Sequence, residues 1–324
     1  MITYVLCGTG WRAEFYMRLA ALIPHFKLSA IYTRSEERKA LFEEKGFSVY
    51  TSLDEALKTE HDFVIVSSGN EGFVSLLKEL HERGEKIVTE TSFLKLSDEE
   101  LDYIYANIPG FTLEQYSHTP LYASIYKTLP LIGTIDSVYL SALHNHHAAS
   151  IAHLIFRGKT IKEVKTLADH RASCIKTGSR AGLLVGEGIE EYKRKITSIE
   201  YESGEIFIND FSSNQYHSEI ISSTIEIRGE KGTITESSVC YIGDDGYPHT
   251  IPFIFNRASS KINGALTLSH VTLGDKTLYT NPYYPININD DEIAIALMIE
   301  ELASSGWTYT IKEAIEDAKL GKLL

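Results

Sequence analysis

Three small residues near the start of the chain leave room where side chains would otherwise stand. They are Gly8, Gly10 and Ala13 in the run Gly8-Thr9-Gly10-Trp11-Arg12-Ala13. An apolar stretch from Ile2 to Cys7 precedes the run, and a helical pattern of Phe15, Met17, Leu19, Ala20 and Leu22 follows it. Between a strand and a helix this spacing has a chemical use. Gly8 permits a tight turn, Gly10 lets the backbone around Thr9, Trp11 and Arg12 approach a pyrophosphate, and Ala13 lets the helix pack on the strand. The helix N-terminus then offers N–H donors and a partial positive charge to the phosphates. The expected ligand is a dinucleotide.

A second strand, Phe26 to Tyr32, ends in Thr33-Arg34-Ser35, with Arg38 one helical turn on. An NAD site usually carries an acid at this strand end for the ribose 2′-hydroxyl, and none stands here before Glu36. A guanidinium flanked by hydroxyls suits a 2′-phosphate, so the expected coenzyme is NADP in preference to NAD. Ser35 is equally suited to cap the next helix.

The elements that must position these groups alternate along the first third of the chain. A short strand ends at Tyr50, and Ser52 and Ser97 read as helix caps. Asp62 to Ser67 is a β-branched strand for the middle of a parallel sheet, running into the loop Ser67-Ser68-Gly69-Asn70. A helix from Phe73 to Arg83, a strand from Lys86 to Thr89 and a strand from Phe111 to Glu114 complete the pattern. The class is α/β, with a doubly wound parallel sheet over residues 1–117 and a second domain over 118–324.

Bulk properties set limits on partners. The chain has 324 residues, with 43% hydrophobic and 23% charged, as in ordinary globular proteins. A net charge of −13 argues against nucleic acid or an anionic membrane as a general partner. No apolar run reaches the roughly 20 residues of a membrane helix. Three widely spaced cysteines, Cys7, Cys174 and Cys240, suggest reduced thiols in a cytoplasmic protein, with no disulfide frame or zinc site.

The order of these pieces resembles the Gfo/Idh/MocA family, the glucose–fructose oxidoreductase and inositol dehydrogenase group. The matching pieces are Gly8-x-Gly10-x-x-Ala13, the strand to Thr33-Arg34-Ser35, Ser67-Ser68-Gly69-Asn70, and Gly84-Glu-Lys-Ile-Val-x-Glu90. In the second half Pro120 and Lys127, the Ile225–Ile234 hairpin pattern, and the Thr310–Lys319 tail also match. The resemblance implies a Rossmann domain followed by an α/β domain with a large, mostly antiparallel open sheet. It implies NAD(P)-dependent hydride transfer on a small sugar, cyclitol or related carbonyl or imine, and a homodimer or homotetramer joined through that sheet. By position it puts Glu90 and Thr91 beside the cofactor.

The sequence departs from the family where proton transfer is concerned. Many members follow the glutamate matched by Glu90 with lysine and proline, whereas Thr91 and Ser92 stand here. A threonine hydroxyl cannot do a lysine's acid–base work near neutral pH. Histidine is the substitute to look for, in His144-Asn-His146-His147, where the family opens a helix with H-x-x-D. His147-x-x-Ser150 is the best match, with Ser150 in place of the acid, and His147 or His146 is the expected general acid–base. His118 and Tyr122 lie where the family's chain crosses between its domains, and either could bind substrate, donate a proton, or simply pack there. Adjacent His146 and His147 cannot readily share one ion, so no metal is assigned. Arg180, in a glycine-rich segment, reads by default as an exposed loop arginine. A coenzyme-binding sensor or scaffold without catalysis is the alternative, because lysine, proline and acid are all missing.

Overall fold

A computed structural model describes residues 1–68, 72–179, 182–186, 188–259, 266–304 and 309–324. The chain forms two compact units. The first comprises residues 1–119, 258–268 and 281–316, and the second 120–257, 269–280 and 317–324. This differs from a single division after residue 117. Residues 281–316 return to the first unit because the apolar helix they contain is buried there.

The first unit opens with β1 (Ile2–Cys7), α1 (Ala13–Leu22), β2 (Phe26–Tyr32), α2 (Glu36–Glu43) and β3 (Val49–Tyr50). It continues with α3 (Leu53–Leu57), β4 (Phe63–Val66), α4 (Phe73–Glu82), β5 (Ile87–Thr89), α5 (Asp98–Asn107) and β6 (Phe111–Thr112). The six strands pair in parallel in the order β3-β2-β1-β4-β5-β6. The order reverses beside β1, and such a switch point leaves a crevice at the carboxyl ends of the strands. Every residue of β4 is buried, as its unbroken Phe-Val-Ile-Val run requires of a parallel strand covered on both faces. Cys7 is buried at the end of β1, and burial pushes its thiol far above the ordinary range. Ser97 and Glu100 close a reciprocal cap on α5. Ser52 stands at the start of α3 but makes no side-chain cap bond.

The second unit begins with α6 (Pro120–Thr128), β7 (Ile135–Ser141) and α7 (Asn145–Ile155). Strands β8 (Ile161–Ile175), β9 (Gly178–Ser179), β10 (Gly182–Leu183), β11 (Ile189–Tyr201), β12 (Ile206–Ser212) and β13 (Thr224–Gly229) follow. Then come β14 (Gly232–Thr235), β15 (Ser238–Ile242), β16 (Pro248–Ser259), β17 (Leu266–Leu273) and β18 (Lys276–Thr280). Ten of these strands make one mostly antiparallel sheet in the order β18-β17-β16-β15-β14-β13-β7-β12-β11-β8, with β7 and β12 parallel. The hairpin expected over 225–234 is β13 against β14, turning between Gly229 and Gly232. On the sheet Arg194 donates to Asp210 from Nε at 2.7 Å and from Nη2 at 2.5 Å, and Tyr139 donates to it at 2.9 Å. These bonds, Arg194 first, hold the Asp210 carboxyl below its usual range.

Helix α8 (Asp290–Ala303) belongs to the first unit, capped reciprocally by Asn289 and Glu292. It is buried nearly all round, from Ile293 to Leu302, which its apolar composition demands. Helix α9 (Ile311–Leu323) ends the chain.

Candidate functional site

In the first unit the glycine turn lies at the carboxyl edge of the parallel sheet. Gly8 donates to Tyr32 O at 3.0 Å, and Ser67 donates to Cys7 O at 2.9 Å, so the turn sits between the ends of β2 and β4. Gly8 has φ +131°, and a Cβ on it would stand 3.0 Å from the Ser67 carbonyl. A side chain is therefore excluded there by conformation and by space. Gly10 differs: a Cβ on it would meet nothing within 4 Å. The space above Gly10 is open, and a bound group can use it. Ala13 donates back to Gly10 O at 3.0 Å, and Phe15 to Arg12 O at 3.2 Å. The amides of Gly10, Trp11 and Arg12 thus lead the helix, where donors have no intrahelical acceptor. The buried Ser67 Oγ has no partner among the described residues. An open space, leading amides and an unsatisfied hydroxyl fit a diphosphate.

At the end of β2, Thr33 is buried and Arg34 and Arg38 are exposed. Ser35 does cap α2, accepting from Arg38 N at 3.2 Å. Gly72 is the N-cap of α4, with φ +86°. A Cβ there would lie 2.6 Å from Arg34 Nη1 and within 3.4 Å of Cζ and Nη2. The guanidinium therefore lies against the start of α4, at the positive end of that helix's dipole. Of the neighbouring loop, Ser68 is half-buried, while Gly69 and Asn70 lie outside the described residues, as does Arg180.

Glu90, just past β5, is buried and accepts from two donors at the same oxygen. Arg12 Nε reaches Oε1 at 2.9 Å, and the Tyr16 hydroxyl bonds the same atom. The Arg12 guanidinium also lies 4.8 Å from the Phe15 ring centre. Burial opposes the charge on Arg12, but Glu90, with Tyr16 and Asp291, holds its pKa above that of ordinary arginine. Burial, then Glu90, pushes the Tyr16 hydroxyl well above its usual range. Both Arg12 and Glu90 were expected beside the cofactor; the fold spends the Arg12 side chain on Glu90 and leaves Arg12's amide at the helix start. Thr91 follows, starting the turn that carries Phe93 into the core.

His118 ends a short 3-10 turn, Gln115–His118. Its Nδ1 bonds Ser117 Oγ at 2.9 Å and its Nε2 bonds Glu301 Oε2 at 3.0 Å. Both ring nitrogens are engaged within the first unit, and the bond to His118 holds Glu301 below its usual range.

The second unit gathers the other histidines at the start of α7. The helix begins at Asn145, with His144 as N-cap, so His146 and His147 both fall in the first turn. Both are buried. The His144 and His147 rings stack with centres 4.7 Å apart and planes 27° apart, and His146 meets His147 edge-on at 5.6 Å. Phe211 and Tyr216 close around His144 at 5.9 and 5.5 Å. The His144 N–H donates to the Tyr216 hydroxyl at 3.0 Å. Tyr122, on α6, is buried, and burial raises its pKa, with Tyr216 and Glu236 adding to it. The fold supplies a carboxylate to this helix further along, where Asp317 of α9 bonds His153 Nδ1. Sequence reasoning missed Asp317, whose position in a tail helix carries no local signal. Nor does any local pattern mark Phe211, on β12, or Tyr216, in the turn after it.

Comparison with known proteins agrees with the cradle. Residues 2–93 match the Gfo/Idh/MocA model, described as an oxidoreductase family with an NAD-binding Rossmann fold. A curated relative, scyllo-inositol 2-dehydrogenase (NADP(+)) IolU of Bacillus subtilis, is 28% identical over 142 residues. That match covers 42% of this chain and 43% of the relative, so under half of the relative's length is spanned. Among solved structures, an oxidoreductase from Agrobacterium radiobacter, in complex with NAD+, L-tartaric acid and magnesium, superposes with a TM-score of 0.67 at 15% identity. The superposition covers 99% of this chain and 94% of that one. Levoglucosan dehydrogenase, in complex with NADH and L-sorbose, gives 0.64 at 15% identity, covering 99% and 95%. At such identities the likeness shows the fold, a parallel Rossmann sheet followed by a large, mostly antiparallel one.

Proposed function

We propose that this chain, whose first domain is the NAD-binding Rossmann fold of the Gfo/Idh/MocA oxidoreductases, is an NAD(P)-dependent dehydrogenase or reductase with NADP favoured. Its substrate is a small sugar- or cyclitol-like carbonyl, or an imine. The observation that carries the reading is the turn at residues 8–13, where the space above Gly10 is open, beside a buried Ser67 Oγ with no partner among the described residues. The bound coenzyme supplies a hydride donor or acceptor. The chain's own residues do the rest: the turn grips the diphosphate, and Arg34, lying at the start of α4, meets the 2′-phosphate. His147, with His146 behind it, moves the proton to or from the substrate oxygen or nitrogen. An imine needs this help least, since its nitrogen is already basic.

The competing reading is a coenzyme-binding sensor without catalysis. Thr91 after Glu90, and Ser150 three residues after His147, favour it. The chain is further proposed to be cytoplasmic, given three free cysteines, and to form a homodimer or homotetramer through the ten-stranded sheet. Exposed Leu167, Ile175 and Ile189 on β8 and β11 support that assembly, and light scattering measures it directly. Among the described residues no helix is long and apolar enough to cross a membrane.

Titration with NADPH and NADH tests the coenzyme claim, read from the fluorescence of exposed Trp11 beside the cradle. Saturable quenching is expected with both, tighter for NADPH. Arg34→Ala should weaken NADPH about tenfold, one charge-assisted contact's worth, and spare NADH. No binding of either would end the reading. Binding with no turnover over sugars, cyclitols and imines would select the sensor.

A further inference from the structure

Gly321 stands in the last full turn of α9, yet nothing about its backbone calls for glycine. Its φ lies outside the left-handed region. Glycine inside a helix is about 1 kcal/mol worse than alanine, so some other constraint keeps it. Space supplies one. A Cβ on Gly321 would stand 3.0 Å from Asn145 C, 3.0 Å from His146 N and 3.1 Å from His146 Cα. All three are backbone atoms, which cannot swing aside as a side-chain tip can.

The contact falls on the first turn of α7, the turn that carries His146 and His147. Other contacts hold the two helices and the sheet in this arrangement. Asp317, one turn before Gly321, bonds His153 further along α7. Lys195 of β11 donates to Leu323 O at 2.8 Å, satisfying a terminal carbonyl of α9. Ala148, Ala149 and Ala152 on α7 and Ala318 on α9 are fully buried. Small residues at these positions allow helix backbones to approach closely.

We propose that Gly321 is a positioning residue for the histidine cluster, with the end of α9 serving as the seat that sets where α7 begins. An added methyl group would push the first turn of α7 by a few tenths of an ångström and retilt the stacked pair His144 and His147. This seating is a matter of unit geometry. Its effect on rate rests on the reading of His147 as the proton-transfer group.

The test uses the full chain with isotope-labelled histidine and Gly321→Ala. The histidine ring Cε1–H resonances report ring position whether or not the protein turns over. Expected are displaced His146 and His147 resonances, with kcat down about tenfold or more and KM and coenzyme affinity nearly unchanged, since small misplacements of catalytic groups are costly. Wild-type His146 and His147 resonances in the variant would overturn the seating, whatever the activity. Displaced resonances with unchanged kcat would uphold the seating and count against His147 as the proton donor. Should Gly321→Ala not fold, Asp317→Asn loosens the same helix pair from its other contact. His146 and His147 resonances that stay put in Asp317→Asn would likewise overturn the proposal.

Discussion

Residues 8–13 and residues 144–147 each start a helix directly after a strand, and they equip it in opposite ways. The first start keeps side chains away from two of its positions. Gly8 turns where no Cβ fits, Gly10 faces open space, and what remains is backbone N–H and a hydroxyl from Ser67. The second start is crowded, with three imidazoles, Phe211 and Tyr216 in mutual contact. An amide array suits a ligand whose charge never changes, such as a diphosphate. A ring cluster suits a group that must gain and lose a proton. On the proposed function the difference separates holding from reacting, and each variant below is chosen to break that separation.

The largest effect is expected from Gly10→Val. Nothing within 4 Å meets a Cβ there, so the melting temperature should hold while saturable coenzyme binding disappears. A large loss of stability would mean that the space is not kept for a ligand. His147→Ala should reverse the pattern, lowering kcat by about 10²- to 10⁴-fold, the usual range for a general acid–base. Its coenzyme titration should match the parent. If it loses the coenzyme as well, the two helix starts do not divide the work.

Between these lies Arg12→Met, which strips the buried Glu90 of its cation. Removing one partner of a buried pair costs about 3–5 kcal/mol, so chemical denaturation should show a loss of that order. Coenzyme binding by the remaining protein should persist, since Arg12 contributes its amide and not its side chain. The smallest effect concerns acid. Arg194 holds the Asp210 pKa below its unfolded value. That stability is present above the ordinary carboxylate pKa of about 3.9 and is lost as pH falls through the lower folded value. Arg194 is partly exposed, so screening keeps the contribution below about 1 kcal/mol. Arg194→Met should therefore lose up to about 1 kcal/mol at neutral pH, flatten this stretch of the acid unfolding curve, and match the parent once Asp210 is protonated in both.

The same contrast explains what the sequence disclosed. The cradle is local: strand, glycines and helix lie within one short run, so its geometry is legible from spacing alone. Caps such as Ser97 with Glu100 are legible for the same reason. The partner of Arg12 is 78 residues away, and that of His153 is 164 residues away. No local pattern announces such pairs. The helix opening at Asn145, slightly ahead of the expected His147, is settled by α9 seated against it, a contact from the far end of the chain. Strand β8, Ile161–Ile175, is hard to read from the sequence. Its exposed face and many charges weaken the alternation that marks a strand.

Cys7 gives the molecule a clock. Its sulfur sits inside the parallel sheet, and burial keeps it protonated and out of reach. Alkylation proceeds through the thiolate. Cys7 can therefore react only in those moments when β1 comes away from its neighbours, whereas Cys240 on the surface reacts at once. Counting labelled Cys7 over time would read how often the coenzyme-holding half opens, and saturating coenzyme should slow the count.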